Sequence, residues 1–135
     1  MTFELDQRLA NDTIFLDRVG DVQIRIHKNA NVLWFILVPE TNEIEWIDLS
    51  QEHQDNLQLM IDQLSLFLKQ TNSFDKINLA TIGNVVNQFH YHVIGRSQSD
   101  PYWPGVVWGV DAPLKNYSEA EVDKVKYELA LFLAK

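Results

Sequence analysis

The chain has no cysteine, which excludes a disulfide framework, a thiolate nucleophile and any cysteine-based metal centre. Basic residues are few: 11 Lys and Arg stand against 19 Asp and Glu, for a net charge of −8. Proteins grip nucleic acid polymers by neutralising phosphates with Lys and Arg, so this balance argues against such a partner. A small anion held by a few oriented donors is not excluded. No apolar run approaches the roughly 20 residues of a membrane span. The opening Met1-Thr2-Phe3-Glu4-Leu5-Asp6 lacks the basic and apolar regions of a secretory signal. The expectation is a cytoplasmic protein with no membrane partner. Repeats, low-complexity tracts and linkers are absent too. What is present is 135 residues, 46% hydrophobic, with four Trp, enough for one well-filled core and a single domain over 1–135.

Periodicity and turn residues divide this length into about five strands and three helices. Phe3 to Asp12 reads as a short helix, with Leu5 and Leu9 four apart, and Ile14 to Leu16 as a short strand. Gly20-Asp21 is a turn signal. Val22, Ile24 and Ile26 alternate with Gln23, Arg25 and His27, the pattern of a half-buried strand, and Asn29-Ala30-Asn31 breaks it. Leu33 to Val38, stopped by Pro39, predicts a central strand, and Glu43 to Ile47 a further one. Ser50 is the expected N-cap of a helix whose Leu57, Met60, Ile61, Leu64, Phe67 and Leu68 follow helical spacing and whose end falls near Thr71-Asn72. Lys76 to Ile82 predicts a strand. Ser97 to Pro113 is a long structured loop, and Ser118 with Glu121 forms a capping box for a final helix. Consecutive short strands point to an antiparallel α+β sheet.

The most informative stretch is Gln88-Phe89-His90-Tyr91-His92-Val93-Ile94-Gly95-Arg96, which holds two of the four histidines. Alternation puts Gln88, His90, His92 and Ile94 on one face of a strand and Phe89, Tyr91 and Val93 on the other. Residues two apart on a strand lie roughly 6.5–7 Å apart, so a tetrahedral phosphate set against His90 could be touched by all three polar side chains. Three readings are open on these residues alone. An imidazole titrates near neutral pH and can act as a nucleophile. A His-x-His pair can ligate a metal, although zinc needs three or four ligands and Gln is a poor one. The two rings can also be structural.

With its flanks, the stretch resembles the histidine triad (HIT) superfamily of nucleotide hydrolases and transferases. That signature is three histidines alternating with apolar residues on one strand. Here the register gives Gln88, His90 and His92, with glutamine at the first position, as is common in a bacterial branch of the family. Gly83-Asn84-Val85-Val86-Asn87 matches the entry to the triad. Asp100-Pro101-Tyr102-Trp103-Pro104-Gly105 and Val107-Trp108-Gly109 match the family's segment beyond the triad, and Trp34 to Pro39 is similar to its apolar strand ending in proline. The resemblance covers most of the chain.

It implies a HIT-like fold, a five-stranded antiparallel sheet with packed helices, and a homodimer. It also implies a hydrolase or transferase acting on the α-phosphate of a small nucleotide, a purine nucleoside phosphoramidate, an adenylate or a dinucleoside polyphosphate. No metal or other cofactor is built into that chemistry. His90 takes the role of nucleophile, forming a covalent nucleotidyl-histidine, and His92, Gln88 and Asn84 hold the phosphate. The ribose-binding acid of relatives aligns with Asn29, and Ile26 and Leu37 are candidate base-pocket walls. Arg96 either clamps phosphate or pairs with an acid. His27 and His53 read as surface residues, and Trp103, Pro104 and Trp108 as loop anchors or pocket walls. Three departures support an alternative, a nucleotide-binding module with little or no catalysis: Gln88 does not titrate, Val85 stands where many relatives carry a hydroxyl, and Asn29 replaces the ribose-binding acid.

Overall fold

The computed structural model describes residues 2–71 and 73–134; Met1, Lys135 and the expected helix end at Asn72 lie outside the described residues. In chain order come α1 (Gln7–Asp12), β1 (Thr13–Val19), β2 (Val22–His27), β3 (Leu33–Pro39), a 3-10 turn (Trp46–Asp48), α2 (Gln51–Thr71), β4 (Lys76–Ala80), β5 (Tyr91–Arg96) and α3 (Glu119–Leu133). The strands form one antiparallel sheet in the order β1-β2-β3-β5-β4. This is the expected α+β arrangement, with the apolar Leu33–Pro39 run at its centre.

Residues directly opposite on neighbouring strands share a face. Phe35 opposite Val93, and Leu37 opposite Tyr91, therefore belong with Ile24 and Ile26 on the side covered by α2 and α3. Leu57, Met60, Leu64, Phe67 and Leu68 of α2 are buried there. Full burial of each such side chain contributes about 1.5–3 kcal/mol, which fixes this face as the main core. The opposite face carries a second apolar cluster of Leu9, Val32, Trp34, Ile36, Val38, Ile94, Tyr102 and Val107. The N-terminal segment with α1, Val86 and the 97–113 loop pack against it, in place of the long helices, and leave room for a site. No helix among the described residues is long and apolar enough to cross a membrane.

Four expected boundaries move, each for a local reason. Helix α1 starts at Gln7, because Asp6 acts as its N-cap and accepts from the Arg8 N–H at 2.8 Å. Phe3 and Leu5 instead pack against the second cluster. Glu43 to Ile47 forms no strand; its end winds into the 3-10 turn. Strand β4 stops at Ala80, short of Gly83, whose φ of 75° is left-handed. The histidine strand begins only at Tyr91. The preceding backbone is satisfied elsewhere: the Phe89 N–H donates to the Glu43 carbonyl at 3.4 Å and the Thr81 hydroxyl to the His90 carbonyl at 2.7 Å. The capping box of α3 is present, with Ser118 and Glu121 bonding reciprocally.

Candidate active site

His90 and His92 come together at the start of β5, on the face away from the long helices. His92 lies opposite Ile36 of β3 and Ala80 of β4. The ring of His90 sits 5.0 Å from that of His92, centroid to centroid, at 77°. Each ring has one nitrogen fixed by a partner that accepts only or donates only, so both tautomers are determined. Nδ1 of His90 is 2.7 Å from the Gln88 carbonyl oxygen. A carbonyl only accepts, so Nδ1 carries the proton and Nε2 of the neutral ring holds the lone pair. Nδ1 of His92 is 2.9 Å from the indole nitrogen of Trp34. An indole only donates, so Nε2 of the neutral His92 ring carries the proton. One imidazole thus offers a nucleophilic lone pair and its neighbour a hydrogen-bond donor. Burial, then the nearby His90 and His27, push the His92 imidazole down to about 3, which keeps it neutral at physiological pH.

A cavity of about 470 Å³ opens against both rings. Trp34, Ile36 and Trp108 form apolar wall, Leu9 and Asp12 of α1 close one side, and the turn 82–86, with Gly83 and Asn84, closes another. Trp108 stands edge-on to Trp34 and to His92, at centroid distances of 5.7 and 4.8 Å. His27 is the third imidazole in the wall. It stacks flat on Trp34 at 3.9 Å and 10°, and its Nδ1 accepts from the Asn29 N–H at 3.0 Å. Its proton therefore sits on Nε2. Burial lowers its pKa, partly offset by the Asp12 carboxylate. Among the described residues no group of three or more His, Asp or Glu side chains is placed to hold a metal ion. A separate cavity of about 300 Å³ beside Tyr117, Lys124 and Glu128 contains none of the candidate residues for chemistry.

The structure gathers some of the sequence candidates here and sends others elsewhere. His90, His92 and Asn84 line the cavity. Ile26 and Leu37 do not: both are fully buried in the helix-side core, because alternation turns them away from the face that carries His92. Their neighbours His27 and Ile36 line the cavity instead. Asn29 is not in the wall either. Its amide donates to the Tyr102 hydroxyl at 2.7 Å and accepts from the Asn31 N–H at 3.1 Å. Gln88 likewise lies outside the lining, its amide bonded to the backbone of Glu4 and Asp6. Arg96 is turned into the protein, away from the cavity lining: 2% exposed, it bonds Asp100 at 2.8 and 3.1 Å and Asn78 at 2.8 Å, above the Trp103 ring. His27 and His53 are not surface residues. The first is in the cavity, and the second is held by the Asp21 carboxylate at 2.5 Å. Sequence reading missed His27, Trp34, Ile36, Leu9 and Asp12. The available signal was strand parity for the first three and helical position for the last two.

The HIT domain family pattern matches residues 8–99. The backbone superposes on a histidine triad protein of Bradyrhizobium japonicum with a TM-score of 0.90 at 36% identity, covering 97% of this chain and 98% of that one. A histidine triad protein of Marinobacter aquaeolei gives 0.90 and 36%, over 99% and 98% of the two chains. A more distant structure, from Sulfolobus tokodaii and described as a hypothetical histidine triad nucleotide-binding protein, gives 0.66 at 14% identity over 93% and 89%. No curated protein matches the chain. By sequence pattern and by backbone alike, the chain belongs to the histidine triad (HIT) family.

Proposed function

We propose that the chain is a cytoplasmic nucleotide hydrolase or transferase in which His90 is the nucleophile. The observation that carries this is the fixed His90 ring, its Nδ1 proton on the Gln88 carbonyl and its other nitrogen left with a lone pair beside an apolar cavity. In the first step that lone pair forms an N–P bond with the α-phosphorus, and the bond from phosphorus to the leaving group breaks with its electron pair. In the second, water or another acceptor attacks phosphorus, loses a proton and expels the imidazole. Splitting one displacement into two in this way is the ordinary gain of covalent catalysis, and the remaining work is positioning and charge stabilisation. His92, through its Nε2 proton, and Asn84 are the phosphate contacts in this reading. The walls formed by Trp34, Ile36 and Trp108 suit a purine, and Asp12 with His27 supplies an acceptor and a donor for the rest of a nucleoside.

The test is intact-mass analysis after adding adenosine 5′-phosphoramidate. A nucleotidyl adduct on His90 is expected in the wild type and none in His90→Ala, with turnover lower by about 10⁴ or more. Equal turnover by both proteins refutes the assignment. A second reading, nucleotide binding without efficient turnover, is favoured by Val85, an exposed hydrocarbon in the turn beside the rings. Rapid hydrolysis of any nucleotide substrate discards it. We also propose a homodimer, on the ground that β4 ends the sheet with Leu79 exposed; a monomeric mass in solution scattering removes it.

A further inference from the structure

Gln88 occupies a position where a phosphate contact is expected, yet its side chain points its polar atoms at the chain's own N-terminal segment. Oε1 accepts from the Asp6 N–H at 2.8 Å, and Nε2 donates to the Glu4 carbonyl at 2.7 Å. One donor and one acceptor thus grip the backbone of residues 4–6 as an adjacent strand would. The grip continues into α1. Asp6 caps that helix and pairs with Arg8, and the Arg8 guanidinium donates to the Val85 carbonyl at 3.0 Å. The segment is therefore tied both to the strand that carries the histidines and to the turn beside them.

Helix α1 has six residues, well under the roughly 12–15 that give an isolated helix even marginal stability. Its place must come from tertiary ties, and its place matters, because Leu9 and Asp12 line the cavity. Gln88 thus has two separable jobs. Its main-chain carbonyl orients His90 and is indifferent to the side chain. Its amide fastens one wall of the cavity. An imidazole at this position does not match the second job, because its two nitrogens aim more widely apart than the amide oxygen and nitrogen and its Nδ1 sits closer to the backbone.

We propose that Gln88 is a positioning residue whose side-chain amide clasps residues 4–6 and so holds α1 against the nucleotide cavity. This rests on the reading of that cavity as a nucleotide site. Gln88→Leu removes the clasp at similar volume. Gln88→Glu keeps the acceptor for the Asp6 N–H and loses the donor to Glu4, and it serves if the leucine variant does not fold. Gln88→His distinguishes a clasp from a relic of the triad.

The experiment pairs hydrogen exchange over residues 4–12 with calorimetric titration of adenosine monophosphate. Exchange across that segment rises in Gln88→Leu and Gln88→His, and the nucleotide affinity of both falls about tenfold, the size expected for losing two hydrogen bonds. If the phosphoramidate is turned over, KM rises and kcat stays, the signature of lost uniform binding. A histidine variant that binds or turns over as well as the wild type overturns the proposal. So does unchanged exchange in the leucine or glutamate variant of a protein that binds the nucleotide. No nucleotide binding by the wild type sinks the functional reading and this inference with it.

Discussion

The indole N–H of Trp34 on β3 donates to Nδ1 of His92 on β5 at 2.9 Å, with both groups buried, and that bond decides which nitrogen of His92 carries the proton. Without it either tautomer is open, and part of the population would present a lone pair where the proposed phosphate contact needs a donor. Trp34 therefore sets the tautomer of the pair's second ring from the neighbouring strand.

Trp34→Phe keeps an aromatic wall and removes the donor. The unsatisfied Nδ1 costs about 1–3 kcal/mol if it stays buried, and adenosine monophosphate binding weakens about tenfold as the Nε2 donor is lost from part of the population. Nitrogen-15 spectra of labelled histidine check this directly. The wild type shows a single neutral tautomer at His92 and the variant a mixture. An unmixed spectrum in the variant contradicts the role.

The depressed His92 pKa, from 6.5 to about 3, makes stability depend on pH in a definite direction. Below pH 6.5 the unfolded chain takes up a proton at this residue while the folded chain does not, so acid favours unfolding. The contribution is fully present above about pH 6.5 and is lost as the pH falls toward about 3, at up to about 1.4 kcal/mol per pH unit. His27, lowered by burial as well, acts in the same sense. Urea unfolding at pH 7, 6 and 5 reads the slope. His92→Gln unfolds with a shallower acid dependence than the wild type, and identical slopes exclude His92 as the cause.

Arg96→Met tests the structural assignment of that guanidinium. Arg96 and Asp100 are 2% and 4% exposed. Burial pushes the Asp100 carboxyl up, but Arg96 and the Ser97 and Tyr102 N–H groups outweigh it and hold the net value low. Removing one partner of a buried pair costs about 3–5 kcal/mol. The variant's denaturant midpoint drops accordingly, while its folded fraction binds adenosine monophosphate as the wild type does. Weaker binding at unchanged stability would return Arg96 to the phosphate.

Most of this fold is legible in the sequence because its elements announce themselves locally. The alternation of Val22, Ile24 and Ile26, the helical spacing of Leu57 to Leu68 and the Ser118 capping box each need only a window of neighbours, and each forms where expected. Glu43 to Ile47 fails for the complementary reason. Its backbone is drawn to a distant partner, with the Glu43 carbonyl accepting from the Phe89 N–H. The site divides the same way. His90 and His92 sit in one recognisable stretch, and Asn84 lies in the turn just before it. Ile26 and Leu37 stand out by hydrophobicity, which cannot say which side of a doubly covered strand an apolar residue faces. Strand parity, once β3 is paired with β5, turns Ile36 to the histidines and Leu37 away. Asn29 and Gln88 are lost to the site through hydrogen bonds to Tyr102, Glu4 and Asp6. Those bonds span 73 to 84 positions of the chain, and no local window contains them.

Trp34 and Trp108 meet the imidazoles of His27 and His92 ring to ring, and this gives the protein an optical reporter of its own. Indole emission is quenched by a neighbouring imidazolium and altered by a stacked purine. Substituting phenylalanine for Trp46 and Trp103, the other two indoles, leaves indole emission, excited at wavelengths where the four tyrosines absorb little, that comes from this pair alone. Occupancy and protonation of the chamber can then be followed by light, with no label attached.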